Sequence, residues 1–249
     1  MPAGLRRRNY TLIKIFRYEC RRLLWNKFFI GFLLILLLYG WQVLNNITIL
    51  GVSHTAPFSP WSFGDYLSRM LPLLWIGVLF FLTFFISNKA KRCAVLTDAT
   101  AISPQIYTLL RSAAALTATL FLVFCSIGEA IIFYSHYFQW YAWGSLLLPI
   151  MVTLLPALIF ALGSGWLLGG FQPWLLYVWM LFPFILAMLP LPEAFSIWNG
   201  SFFRDFPLSM EILDPDFTLP ATVMITQVAL LIIGIIFTAA ANKIPQHTK

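Results

Sequence analysis

The sequence predicts an all-α integral membrane protein with six transmembrane helices, an N-terminal amphipathic interfacial helix and both termini in the cytoplasm. Three observations support this fold class: the composition, the lengths of the apolar runs and the distribution of basic residues. Of 249 residues, 60% are hydrophobic and 10% are charged, whereas a soluble domain has about 25% charged residues. Because such a chain cannot build a normal water-facing surface, the bilayer must solvate most of it. We expect residues 1–249 to form a single membrane domain.

The basic residues are distributed unevenly between the two predicted sides of the membrane. If the chain changes side at every long apolar run, fourteen Lys and Arg residues fall on one side and two, Arg69 and Arg204, on the other. Basic residues are retained in the cytoplasm during membrane insertion, so the fourteen mark the cytoplasmic side. The net charge is +7. Without a soluble domain to present this charge, anionic membrane lipids are expected as partners, and nucleic acid is not.

The N-terminal residues 10–27 are predicted to form an amphipathic helix on the inner leaflet. At 100° per residue, apolar side chains share one face and cations lie roughly opposite. The helix is either an anchor that sets topology, or a sliding or elbow helix that also touches a cytoplasmic partner. The apolar face comprises Leu12, Ile13, Phe16, Cys20, Leu23 and Leu24, and the inner-leaflet cations are Lys14, Arg17, Arg21 and Arg22.

Six apolar runs are long enough to cross the bilayer, which requires about 20 residues each. Pro149 and Pro156 in the fourth run and Pro183 in the fifth predict kinks or local unwinding. Residues 169–173, rich in glycine and ending in proline, predict a short cytoplasmic turn between these two spans. The predicted spans are 28–50, 70–88, 110–134, 143–168, 174–190 and 220–242.

The longest outer segment, residues 191–219, is acidic and rich in aromatic residues. Phe195, Trp198 and Phe202 would share one face of a helix. Two interpretations remain open for this segment. It either forms a re-entrant helix buried against the bundle, or lies as an aromatic belt at the headgroups.

A few polar residues lie inside the predicted spans. Glu129 is about 7 Å from the outer end of the third span at 1.5 Å per residue. An intramembrane carboxylate suggests a function, here as part of a translocation path, but a glutamate this shallow can also snorkel or contact neighbours. Gln42, Asn45 and Asn46 form a polar face on the first span. They either line the same path or hold helices together.

Small residues in the fourth span predict close helix packing. Gly163, Ser164 and Gly165 are consecutive, and Gly169 completes a Gly-x-x-x-Gly spacing. Six-span intramembrane serine proteases have a Gly-x-Ser-Gly stretch with a histidine on a later span. Here Leu162 occupies the first glycine position and no later predicted span contains a histidine. The sequence therefore favours packing over catalysis at these residues.

The chain carries few groups suited to catalysis. His54, His136 and His247 do not show metal-ligand spacing with other residues. The phosphate-binding pattern Gly-x-x-x-x-Gly-Lys-Ser/Thr does not occur. We therefore expect a non-catalytic subunit that binds no cofactor or metal itself, and that receives any energy from another subunit.

The predicted loop 89–109 between the second and third spans contains Thr-Asp-Ala-Thr and Ile-Ser, and a basic residue follows in the next span. This pattern resembles the coupling loop of type-2 ATP-binding-cassette (ABC) permeases, in which a short helix docks into the ATPase. Ala101 occupies the place of a common proline. The residues to which the resemblance assigns ATPase coupling are Thr97, Asp98, Ala99, Thr100, Ile102, Ser103 and Arg111.

The whole plan also resembles the small six-span permeases of bacterial peptide export and self-protection systems. The resemblance implies the permease subunit of a transporter in the bacterial plasma membrane. Its partners would be a cytoplasmic ABC ATPase dimer, which holds ATP and Mg, and a second or homologous permease. The cargo would be amphipathic: an antimicrobial peptide, another peptide or a lipid-like molecule. The alternative is a membrane-embedded assembly factor or enzyme not driven by an ATPase, and identification of co-purifying subunits would separate the two.

Overall fold

A computed structural model describes the backbone of residues 3–86 and 104–241 and the side chains of 12–86 and 104–241. Regular structure in these ranges is entirely helical, without strands. This confirms the all-α prediction for the described residues. The helices are α1 Ala3–Leu24, α2 Lys27–Asn46, α3 Pro60–Ile86, α4 Pro104–Phe138, α5 Leu147–Thr153, α6 Leu155–Phe171, α7 Leu175–Met180, α8 Phe182–Met188, α9 Ser201–Ser209 and α10 Ala221–Ala241, with 3₁₀ turns at Thr48–Leu50, Trp143–Leu146 and Glu193–Phe195.

Five helical segments are long and apolar enough to cross a membrane, which indicates a membrane-embedded protein. The predicted fifth span, 174–190, is instead the shorter apolar helix Leu175–Met188. At 1.5 Å per residue it extends about 21 Å, less than the hydrocarbon thickness of about 30 Å. The predicted count of six spans is therefore not reached by length in the described ranges. The five longer segments are Lys27–Leu50, Pro60–Ile86, Gln105–Phe138, Trp143–Phe171 and Ala221–Ala241.

Proline divides both spans in which kinks were predicted. The fourth span breaks at Leu154, between α5 and α6, and the fifth at Leu181, between α7 and α8. Pro183 has no N–H to give the carbonyl of Trp179, four residues earlier. That carbonyl accepts a hydrogen bond from the Trp75 indole Nε1 at 3.1 Å instead. A side chain of α3 therefore satisfies the polar group that the break exposes.

Several helices begin or end at residues other than the predicted span bounds. Helix α3 begins at Pro60 rather than Met70, and α4 begins at Pro104 rather than Leu110. The last part of the predicted loop 89–109 is therefore helical. Proline is favoured in the first turn of a helix because its missing N–H has no intrahelical acceptor there. Similarly, α6 continues to Phe171, so only its last residues and those after it make the predicted turn.

Helix α3 is the centre of the bundle, with most of its residues buried against α2, α4, α5 and α6. Helices α6 and α10 pack together closely through two glycines. A Cβ at Gly163 would overlap the carbonyl oxygen of Gly234, and one at Gly234 would be 2.7 Å from the Phe160 nitrogen. Small residues at a crossing let the two backbones approach. Glycine therefore determines the separation of these two helices.

The predicted outer segment 191–219 packs on the first turns of α3. The Trp61 indole lies against Phe202 and Phe217 and donates a hydrogen bond to the Pro215 carbonyl at 2.8 Å. The single helical face predicted over residues 195–202 was wrong. Gly200 has φ +74° and separates the turn at Glu193–Phe195 from α9. The segment is thus packed on the bundle.

Candidate functional site

Helix α1 packs its apolar side against α4 rather than leaving it free for lipid. Phe16 and Leu23 join the main hydrophobic core, and Ile13, which was predicted on this face, is 65% exposed. Glu19 lies between Phe16 and Leu23 on the buried side and is 1% exposed. The one acidic residue of a basic helix is therefore placed inside the protein.

Glu19 is surrounded by donors from two helices. The Tyr107 hydroxyl donates a hydrogen bond to Glu19 Oε1 at 3.0 Å, and Arg111 Nε lies 3.7 Å from the same oxygen. Arg22 Nη1 lies 3.4 Å from Oε2. Arg22 Nη2 also donates to the Phe84 carbonyl at 3.2 Å. We call Glu19, Arg22, Tyr107 and Arg111 the Glu19 cluster.

Arg111 contacts two aromatic rings in addition to the carboxylate of Glu19. Its guanidinium lies 4.1 Å from the centre of the Tyr107 ring and 5.6 Å from that of Phe85. The residue is only 6% exposed. A planar, weakly hydrated guanidinium stacks flat on aromatic faces, which a compact ammonium group cannot do. The cluster therefore favours arginine over lysine at this position.

The cluster connects three helices. Phe84 lies near the end of the described part of α3, and its carbonyl accepts the hydrogen bond from Arg22 Nη2. Tyr107 and Arg111 lie in the first turns of α4. Helices α3 and α4 flank residues 87–103. The Glu19 cluster thus fixes α1 to both helices that enter this connection.

A thiol lies beside the cluster. Cys20 is half-buried, and burial raises the pKa of its thiol above the ordinary value. A hydrogen bond with Thr117 acts in the opposite direction, and the negative charge of Glu19 raises the thiol pKa further. Since the thiolate is the reactive form, Cys20 should react slowly. Its reactivity therefore reports on the packing of α1 against α4.

The predicted coupling residues divide into two groups. Arg111 belongs to the Glu19 cluster. The other coupling residues lie outside the described residues, and these are Thr97, Asp98, Ala99, Thr100, Ile102 and Ser103.

The predicted inner-leaflet cations also divide into two groups. Lys14, Arg17 and Arg21 are exposed on α1, whereas the Arg22 side chain contacts Glu19 and the Phe84 carbonyl.

The structure does not gather the residues predicted for a translocation path. Glu129 on α4 points at Gly40 on α2, where a Cβ would overlap its Oε2. Gln42 lies two residues after Gly40, on the far side of α2, and is exposed, as is Asn46. The amide of Asn45 donates to the Trp41 carbonyl of its own helix. Glu129 and the polar face of α2 therefore lie on different surfaces.

The small residues of α6 contact three helices. Gly163 faces α10, while a Cβ at Gly165 would lie 2.6 Å from Leu79, and one at Gly169 would lie 2.5 Å from Ile86. The Ser164 hydroxyl donates to the Phe160 carbonyl at 2.6 Å and accepts from the Trp179 indole at 2.8 Å. Ser164 therefore takes part in packing contacts with backbone and indole groups.

A second ion cluster, which the sequence did not predict, lies at the opposite end of α3. Asp65 is 1% exposed and accepts from Arg69 Nε at 2.7 Å, with Arg204 Nη1 3.8 Å from its other oxygen. Arg69 and Arg204 are the two exceptions to the predicted charge distribution. One buried carboxylate is paired with both. Their sequence positions gave a signal, because two cations apart from the other basic residues, in a membrane protein, call for a counter-charge.

The overlooked Glu19 also left a signal in the sequence. It takes the place of an apolar residue between Phe16 and Leu23, in a helix whose other charges are all positive. Tyr107 gave no comparable signal.

No three His, Cys, Asp or Glu side chains of 12–86 and 104–241 are grouped to hold a metal ion. No protein-family model matches the chain, and no curated protein or solved structure matches it.

Proposed function

We propose that the chain is the permease subunit of an ABC exporter in the bacterial plasma membrane, with both termini in the cytoplasm and six spans, of which α7 and α8 form the kinked fifth. The observation that carries this proposal is the Glu19 cluster. It ties the N-terminal helix to the two helices that flank the coupling-like stretch 97–103. A helix that received force from a partner at this stretch would transmit it to three helices together.

In this mechanism, a separate ATPase dimer holds ATP and Mg and grips the chain near Asp98 and Ile102. When the ATPase closes on ATP, the gripped stretch moves with it. Helices α3 and α4 precede and follow this stretch in the chain and carry the displacement across the bilayer as a shear between packed helices. The Glu19 cluster makes α1 move with them rather than slide independently.

A second permease, identical or homologous, completes the transporter in this proposal. The exposed apolar surfaces of α2 and α10 support this second copy. Large apolar side chains on both helices, such as Leu38 and Ile225, are exposed. Lipid covers part of such a surface, and a second copy covers part of it. The cargo is amphipathic, a peptide or a lipid-like molecule, because it must reach the helices from within or beside the membrane.

The test is purification of the tagged chain from its native membranes in mild detergent, followed by identification of co-purifying polypeptides. The proposal predicts an ATP-binding polypeptide in amounts equal to the permease, with ATPase activity that depends on Mg. A stable partner without ATPase activity would support an assembly factor and contradict the proposal. The same membranes processed with an untagged chain provide the background.

A further inference from the structure

Glu129 is an acid in the membrane-embedded bundle that the coupling mechanism does not use. Its side chain is half-buried, and its Oε2 is buried without a hydrogen-bond partner. Glu19 and Asp65, by contrast, each pair with two arginines. No ion pair to Glu129 is found among the described side chains. A carboxylate inside a membrane protein normally pairs with a cation or marks a substrate path.

The space around Glu129 is shaped by α2. Gly40 leaves room for the carboxylate, since a Cβ there would overlap Oε2 and come within 3.1 Å of the Tyr66 hydroxyl. That hydroxyl donates to the Ser126 carbonyl at 3.1 Å, so its proton is not available to Glu129. Oε2 of Glu129 therefore receives no hydrogen bond from the described residues.

Aromatic rings line the same seam between α2 and α4. Phe133 follows Glu129 by one helical turn and is buried, and Trp41 follows Gly40. The Trp41 and Phe133 rings meet edge to face at 6.2 Å. Trp41 is 47% exposed, so the tryptophan remains accessible from the membrane. A carboxylate together with aromatic rings binds an ammonium or guanidinium group, through charge and through the ring faces.

We propose that Glu129, Gly40 and Trp41 form a binding site for one ammonium or guanidinium group of a cationic amphipathic molecule, which enters along the α2–α4 seam. The role of this molecule as cargo rests on the proposed function, and the inference adds that the cargo is cationic. The binding itself involves only the permease chain. It can therefore be measured without an ATPase.

The experiment uses the full-length chain in phosphatidylcholine nanodiscs, where no anionic lipid competes. Two fluorescent amphipathic peptides serve as probes. The first consists of leucine and lysine, and the second is identical except that glutamine replaces every lysine. Fluorescence anisotropy measures binding, and empty nanodiscs give the lipid background. The wild-type chain should bind the lysine peptide about tenfold more tightly than the glutamine peptide, a difference of about 1.4 kcal/mol. Equal binding of the two peptides would overturn the proposal.

Variants locate the site. Glu129→Gln should abolish the preference for lysine, so that the two peptides bind equally. Glu193→Gln, which removes an exposed outer acid, should keep the full preference. Loss of the preference in Glu193→Gln, or its retention in Glu129→Gln, would overturn the proposal.

If Glu129→Gln does not fold, two other variants test whether Glu129 forms the site. Glu129→Asp should retain a weaker preference, because the charge remains but is withdrawn toward α4. Gly40→Ala should lose it, because the methyl group displaces the carboxylate. An unchanged preference in Gly40→Ala would contradict the site. A chain that shows the preference but co-purifies with no ATPase would keep this site and refute the proposed exporter.

Discussion

The hydroxyl of Tyr107 donates a hydrogen bond to Oε1 of Glu19 across 88 positions of sequence, at 3.0 Å. This bond joins an amphipathic N-terminal helix to the first turn of α4. Arg111, one turn further along α4, lies 3.7 Å from the same oxygen. Two residues of one helix thus hold one buried carboxylate of another.

Glu19→Gln should loosen α1, because Arg22 and Arg111 lose their buried counter-charge. The readout is maleimide labelling of Cys20 in a chain with Cys93 and Cys125 replaced by serine. Labelling of Cys20 should become several-fold faster in Glu19→Gln. The matched control is Arg17→Gln, which removes an exposed charge from the same helix and should leave the rate unchanged.

The pH dependence of this labelling separates loosening from electrostatics. Glu19 raises the pKa of the Cys20 thiol, so its removal lowers that pKa and increases the thiolate fraction at neutral pH. Above the raised pKa both proteins are fully thiolate, and a purely electrostatic effect would vanish there. We expect the variant to stay faster at high pH, since access has increased. Convergence of the two rates would mean that α1 had not loosened.

Arg111→Lys should destabilise the protein by about 1–2 kcal/mol, because lysine cannot stack between Tyr107 and Phe85. Thermal unfolding in detergent, followed by tryptophan fluorescence, measures the change.

A double variant tests the ion pair itself. Glu19→Leu combined with Arg111→Leu should lower the free energy of unfolding by less than the sum of the two single changes. The reason is that each single change leaves the other charge buried without its partner, and the double change does not. Additive costs would show that the pair does not interact.

Gly163→Ala should destabilise the contact between α6 and α10, because its Cβ would overlap the Gly234 backbone carbonyl. Overpacking of this kind costs about 1–3 kcal/mol. Gly170 lies in the same helix with open space around it, so Gly170→Ala should be neutral or slightly stabilising. Thermal unfolding of both variants is the measurement. Equal stability of the two variants would contradict the close crossing.

Trp75→Phe should destabilise the bundle because the Trp179 carbonyl, which lacks a donor from Pro183, loses its indole partner. The double-mutant cycle uses Pro183→Ala, which restores an N–H to that carbonyl. In the Pro183→Ala background, Trp75→Phe should cost about 1 kcal/mol less. The loss of ring volume is the same in both backgrounds, so the difference isolates the hydrogen bond. An identical cost in both backgrounds would refute this account of the break.

The sequence predicted the fold class because hydropathy reports on the bilayer directly. The α10 bounds, Ala221–Ala241, nearly match the predicted 220–242, since Pro220 and the polar residues after Ala241 delimit the apolar run. The start of α3 was missed because hydropathy cannot show that polar side chains are buried with partners. Ser62 is one such residue, since its hydroxyl donates to the Ala56 carbonyl at 2.8 Å.

The candidate site was only partly predictable. Arg111 was singled out by resemblance, and its partner Glu19 was not, because pairing between distant residues leaves no periodic pattern. The same limit applied to Asp65, which pairs with Arg69 and Arg204 from two helices. The structure does not bring the residues of the predicted polar path together, for a geometric reason. Glu129 faces the Gly40 side of α2, and Gln42 lies on the opposite side.

The central claim is that a partner ATPase drives this bundle through the stretch around Asp98 and Ile102. The most direct measurement is peptide transport per ATP hydrolysed, in proteoliposomes that contain the chain and its co-purified ATPase. The double variant Asp98→Ala, Ile102→Ala should hydrolyse ATP but transport little. The matched double variant Phe171→Ala, Gln172→Ala, which changes exposed residues of the other turn, should transport normally. Unchanged transport per ATP in the Asp98 and Ile102 variant would contradict the account.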